Sequence, residues 1–214
     1  MDTSASRPQL AFFCLLFAVS FWAGNTVVGK LIITTVAPFT LSFWRWTLAL
    51  LILTPFALPL AWREREFYLR NWRLILLLAF FSITIYNTFQ YWSMQWITAT
   101  KVGIVSASLP MFIFLLSWLM GVEQIGRLKL WGLLCSLCGV TLVIVAGNSA
   151  ELGVFASLTP GDGLILTSII VFAFYSVFLK RLPQNFSIFA FLYVNIVLGW
   201  IGICLLYTSD AADE

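Results

Sequence analysis

Histidine is missing altogether from the 214 residues, and only 10% of them carry a charge. The first absence removes imidazole metal sites and histidine general bases. The second removes water as the natural solvent. A soluble domain gives roughly a quarter of its residues to Asp, Glu, Lys and Arg. A chain that is 61% hydrophobic, with mean hydropathy +0.98, has too little polar side chain to coat a water-facing surface. Catalytic signatures are missing too. There is no HExxH, no phosphate-cradling Gly-Lys-Ser/Thr loop and no pair of buried acids, which argues against an enzyme and against ATP-driven pumping by this chain alone. Cysteine is scarce, and Cys14, Cys135, Cys138 and Cys204 all lie inside apolar runs. The Cys135-x-x-Cys138 spacing is elsewhere a redox or zinc signal. Within hydrocarbon and with no second ligand pair, these cysteines are expected to be small packing residues, with no disulfide framework.

What the sequence does have is long apolar runs. A bilayer core about 30 Å thick needs roughly 20 apolar helical residues, and only helices or closed barrels satisfy the backbone there. Seven stretches qualify or nearly do, at about residues 10–29, 39–61, 74–97, 102–122, 130–147, 163–179 and 186–206. The fold class expected is all-α, a polytopic transmembrane bundle. The first run has no clean small-residue cleavage site, contains Asn25 and is followed by more spans, so it reads as a retained helix rather than a signal peptide. The sixth is short, and Gly161-Asp162-Gly163 starts it near the interface.

Charge placement gives orientation. With the N-terminus cytoplasmic, the inner segments hold Arg7, Arg63, Arg65, Arg70, Arg73, Arg127, Lys129, Lys180 and Arg181. The outer loops hold only Lys30 and Lys101, nine against two, and the positive-inside rule favours that arrangement. Trp62, Trp72, Trp96 and Trp131 fall near helix ends, as an aromatic belt requires. The net charge of +3 is scattered through short gaps, so nucleic acid is not an expected partner.

Candidate pathway residues are the polar groups stranded in lipid. Arg45 is the clear intramembrane charge, and burying it costs at least about 2.5–3.5 kcal/mol on insertion scales. It is either a counter-ion for a substrate carboxylate or phosphate, or a residue that snorkels to a nearby interface. Lys101 reads as an interfacial loop lysine, and Glu123 as a surface partner of Arg127 or Lys129. Asn25, Asn87, Gln90, Tyr91, Gln95 and Asn195 also lie in spans. Asn87, Tyr91 and Gln95 share a helix face by their i, i+4, i+8 spacing, so they line a pathway or bond another helix. Trp22, Trp44 and Tyr175 add aromatic walls. Gly103 and Ala107 offer a close helix contact, and Pro110 is placed to kink the fourth helix.

The end of the first helix, Phe21-Trp22-Ala23-Gly24-Asn25-Thr26-Val27-Val28-Gly29-Lys30, registers on the end of the sixth, with Trp22 on Phe172, Ala23 on Ala173 and Lys30 on Lys180. Five helices separate the copies, so the second would enter the membrane inverted. The same string resembles the first-helix signature of EamA-type transporters in the drug/metabolite transporter superfamily. Pro38 and Phe43-Trp44-Arg45-Trp46, Gly103 through Pro110, Gly121-Val122-Glu123, Gly132, Gly139-Val140, and Gly161-Asp162 with Ala173-Phe174-Tyr175 follow in that family's order. Val122 stands where the family has glycine directly before the glutamate. The resemblance implies ten helices in two inverted five-helix repeats with both termini cytoplasmic. Residues 10–147 would be the first repeat, and residues 161–203 the first two helices of the second.

The ending Cys204-Leu205-Leu206-Tyr207-Thr208-Ser209-Asp210-Ala211-Ala212-Asp213-Glu214 is either a natural acidic terminus or foreign. Its back-translation resembles a transposon-end sequencing adapter, and residues 204–214 are expected to be non-native. On this reading the chain is a C-terminally truncated secondary transporter of the inner membrane. It would export amino acids or drug-like compounds by alternating access, with a pathway of Trp22, Asn25, Trp44, Arg45, Asn87, Tyr91, Gln95 and Tyr175. No cofactor or metal is expected. The partners are a small-molecule substrate and the lipid bilayer, with a homodimer left open. A non-transporting scaffold or subunit is the competing reading.

Overall fold

A computed structural model of the protein describes residues 8–122, 126–146, 159–183 and 186–210. Among them every regular element is helical: α1 (Pro8–Ile32), α2 (Pro38–Arg63), α3 (Arg65–Arg70), α4 (Trp72–Ala79), a π segment (Phe80–Ile85), α5 (Tyr86–Ser93), α6 (Ala99–Ser106), α7 (Leu109–Leu119), α8 (Arg127–Ala146), α9 (Pro160–Leu179) and α10 (Ile188–Asp210). Six helical stretches are long and apolar enough to cross a bilayer, and α8 contributes a shorter apolar run, Leu128–Leu142. The third span is α4, the π segment and α5 in continuity, Trp72–Ser93. The fourth, Ala99–Leu119, bends where α6 gives way to α7, with Pro110 in the first turn of α7. Proline there lacks the N–H a continuous helix would need.

The third span is the axis of the bundle. It packs against α2, α9 and α10, and α9 also lies on α7. Three buried clusters follow from this. Tyr91, Met94, Val102, Val105, Ile165 and Ile169 join α5, α6 and α9. Tyr68, Ile75, Leu78 and Phe191 close the end that holds α3. Ile83, Ile196 and Ile203 lie beneath Phe43, Trp46 and Leu50 of α2.

Close approach of α10 to the π segment depends on two glycines one turn apart. A Cβ on Gly199 would sit 2.3 Å from the Ile83 Cβ, and one on Gly202 would sit 2.5 Å from Thr84 Oγ1. Thr84 uses the proximity to donate to the Gly199 carbonyl at 2.9 Å. Small residues that let helix backbones meet are the usual solution in lipid, where apolar contact brings no hydrophobic gain. Further along, Trp200 donates to Thr47 Oγ1 at 2.8 Å and stacks on Phe43.

The outside of the bundle is apolar almost throughout: Phe21, Leu51, Phe56 and Leu205 are among many exposed large side chains. Patches of that extent mark a membrane surface. Trp62, Trp72, Trp96 and Trp131 are all exposed near helix ends, where a belt would hold them. The expected packing role for the cysteines is corrected here. Cys14, Cys135 and Cys138 are exposed, and Cys204 is half-buried, all of them free thiols.

Candidate functional site

Two turns into α2, Arg45 reaches across to the third span. Its Nη1 donates to Asn87 Oδ1 at 3.0 Å, and the guanidinium lies over the Trp46 and Tyr91 rings at 5.0 and 5.7 Å. Asn87 in turn donates to the Ser82 carbonyl at 2.8 Å, five residues back. That is the spacing of a π turn, so the side chain reaches back to a carbonyl in the middle of the π segment. Ser82 Oγ receives the Asn195 amide of α10 at 2.8 Å. One turn beyond Asn87, Tyr91 donates its hydroxyl to Asn25 Oδ1 of α1 at 3.0 Å, with its ring laid against Gly29. A polar thread thus runs from α1 through α5 and α2 to α10 inside an apolar bundle.

The thread centres on an arginine. Arg45 has no carboxylate partner among the described residues, and its side chain is half-buried. Trp46 Nε1 and Asn195 Oδ1 are buried without a hydrogen-bond partner among the described residues. The Tyr86 phenol lies within electrostatic reach of Arg45 and beside Trp22. Next to the thread is a cavity of about 200 Å³ lined by Val19, Trp22, Ala23, Thr26, Gln90, Gly103, Ser106 and Ala107. Its wall is apolar with three polar points, the usual make-up of a small-molecule site.

The expected pathway residues divide accordingly. Asn25, Arg45, Asn87 and Tyr91 are brought together in the thread, and Trp22 lies on the cavity wall. Tyr175 on α9 joins indirectly: its ring meets Phe172 at 5.1 Å, which meets the Tyr86 ring at 4.4 Å. Trp44 points away, 61% exposed on the outer side of α2. Gln95 falls past the end of α5 and is exposed, so the stripe stops after two members. Gly103 has open space where a Cβ would be, so the expected tight contact at Gly103 and Ala107 is instead a cavity wall.

Lys101 is a further correction. Rather than a loop lysine, it occupies the first turn of α6, is buried, and pairs with Asp162 Oδ1 at 2.7 Å. The pairing expected for Glu123 lies outside the described residues. Sequence reasoning passed over Ser82 and Tyr86, whose roles depend on the π turn, and gave Lys30 and Asp162 no partners. A visible signal existed for the last two: each is a charge within one turn of a span end.

At the opposite end, Glu64 accepts the Ser187 N–H at 3.0 Å and the Tyr68 hydroxyl at 2.9 Å, tying the α2–α3 corner to the start of α10. Burial pushes the Tyr68 phenol well above its ordinary range, and the hydrogen bond to Glu64 pushes it further.

Residues 9–145 match the EamA-like transporter family. The chain is 25% identical over 180 residues to the uncharacterized transporter YetK of Bacillus subtilis, covering 84% of this chain and 54% of that one. An uncharacterized transporter of Archaeoglobus fulgidus is 27% identical over 167 residues, 76% of this chain and 55% of its own. The WAT1-related protein At2g39510 of Arabidopsis thaliana is 25% identical over 214 residues, 87% and 56% of the two chains. The chain spans about half the length of the curated relatives it matches. No solved structure matches it.

Proposed function

The chain belongs to the EamA-like transporter family, and from that premise we propose that it serves a secondary carrier exporting small metabolites across a bacterial-type inner membrane. Amino acids and drug-like compounds are the substrate classes that suit it, and the N-terminus would be cytoplasmic. The observation that carries the reading is Arg45: a half-buried guanidinium inside the bundle, hydrogen-bonded to Asn87 and lacking a carboxylate of its own among the described residues. A cation held at that depth costs free energy unless something compensates it. A substrate carboxylate is the fitting counter-ion, with the Tyr86 hydroxyl and the Asn25–Tyr91 pair beside it as donors and acceptors. The nearby cavity would take the apolar remainder of such a solute. In alternating access, the two units at residues 10–147 and 161–203 would rock about this site.

The test is flux. The full-length protein, reconstituted into liposomes, is expected to move at least one member of a panel of amino acids and aromatic carboxylates. Arg45→Ala should cut that flux at least tenfold, because loss of a desolvated charge partner costs roughly 2–5 kcal/mol. A folded protein that moves nothing on the panel would favour a scaffold. Full flux in Arg45→Ala would reject the counter-ion role.

A further inference from the structure

At the end of the bundle that holds residues 33–37, 94–98 and Thr159, contacts from four segments meet at one level. Lys101 Nζ lies 2.7 Å from Asp162 Oδ1, with the two side chains only 7% and 4% exposed. The other carboxylate oxygen accepts the Thr159 N–H at 3.0 Å and its hydroxyl at 2.9 Å. From α1, Lys30 Nζ donates to the Met94 carbonyl and, at 3.0 Å, to the Ile97 carbonyl. The first turn of α9 presses on the same stretch: a Cβ at Gly161 would stand 2.7 Å from the Ser93 carbonyl oxygen and 3.0 Å from the Trp96 Cβ. The cavity lies just beneath. Thr26 on its wall precedes Lys30 by one helical turn, and Gly103 on the opposite wall is two residues past Lys101.

From this arrangement we infer that this end of the bundle is a closable gate, shut in this structure, with the Lys101–Asp162 pair as its bolt and Lys30 as the clasp on α1. The physical argument lies in what happens on opening. A buried ion pair gains little net free energy, because attraction is offset by the cost of taking both charges out of water. When helices part at a membrane surface, water reaches both ions and returns that cost. Shut and open arrangements therefore lie close in free energy, as a gate requires. An apolar seal of the same area would gain nothing from water on opening. Gly161 fits this role, since it lets α9 close on the Ser93 carbonyl without a side chain in between.

The inference rests on the transport reading, because a gate serves passage, but it can be tested without any substrate. Cys14, Cys135 and Cys138, with every cysteine that the full-length protein carries beyond residue 203, are replaced by alanine, and a single thiol is placed on the cavity wall by Thr26→Cys. A membrane-impermeant maleimide is added to reconstituted vesicles from the Lys30 side. Asp162→Asn, Lys101→Met and Gly161→Ala are each expected to raise the labelling rate about tenfold, the effect of a modest shift in a two-state population. Every variant is first checked for the elution volume and melting temperature of the parent. An unchanged labelling rate in whichever of the three single variants folds like the parent overturns the gate. Flux measured in the same vesicles reports separately: altered labelling with no flux in the parent would sink the carrier and leave the gate standing.

Discussion

At the scale of single residues, Asn87 holds more together than any other polar group in the thread. Its carbonyl oxygen faces Arg45 while its amide caps the Ser82 carbonyl. Asn87→Leu would therefore orphan a charge and a buried carbonyl at once, and we expect a loss of about 2–4 kcal/mol in a detergent unfolding assay. Asn25→Ala removes one interhelical bond and should cost about 1 kcal/mol in the same assay. Equal losses in the two variants would show that the thread is not organised around Asn87. Tyr68 gives a pH prediction. Because the folded protein raises its phenol pKa, the folded state holds that proton more tightly than the unfolded chain. The resulting stability is fully present below the unfolded value near 10 and is lost as pH rises above it. Unfolding at pH 7, 9 and 11 should show the fall only at the last, and Tyr68→Phe should make it shallower. The sequence made Arg45, Asn25, Asn87 and Tyr91 legible, because polar groups in an apolar run announce themselves. It did not show that Lys101 meets Asp162, since their pairing depends on how α6 and α9 dock rather than on any local pattern.

At the scale of elements, the spans were legible and the geometry of the third was not. Hydropathy reports length and burial, so the apolar runs translate directly into helices. A π turn carries no such mark, for Phe80–Ile85 reads as ordinary apolar helix, and it is α10 that supports it through Thr84 and Gly199. One residue in an α-helix is worth about 100° of rotation and 1.5 Å of rise. Deleting one residue from the π segment would favour a regular helix and turn Asn87 and Tyr91 away from Arg45 and Asn25. We expect such a deletion to abolish flux as thoroughly as Arg45→Ala, while helix content by circular dichroism stays unchanged. Gly199→Val tests the opposing face. Its side chain would enter Ile83, and a destabilisation of about 1–3 kcal/mol is expected from overpacking. No change in melting temperature would mean that Gly199 is not what brings α10 up to the π segment.

At the scale of the whole molecule, basic residues crowd one end: Arg63, Arg65, Arg70, Arg73, Lys180 and Arg181 all border the turns on the α3 side. If that end faces the cytoplasm, a thiol introduced by Thr35→Cys in the cysteine-free protein should react with impermeant maleimide in intact cells. One introduced by Arg70→Cys should react only after permeabilisation. The reverse pattern would invert the topology, and with it the side on which the gate opens. The distribution of contacts around α1 matters in another way. The helix is fastened near one end only, by Asn25, Gly29 and Lys30, while residues 10–24 are exposed throughout. Mechanically it is a lever with its fulcrum at the last two turns. From Gly29 to Leu10 the arm measures about 28 Å at the helical rise. A tilt of about 10° would swing its tip by about 5 Å and carry Trp22, roughly 10 Å from the fulcrum, by nearly 2 Å. Such a displacement is about half the width of a methyl group, so small rotations at the fulcrum would reshape the wall of the neighbouring cavity on which Trp22 lies.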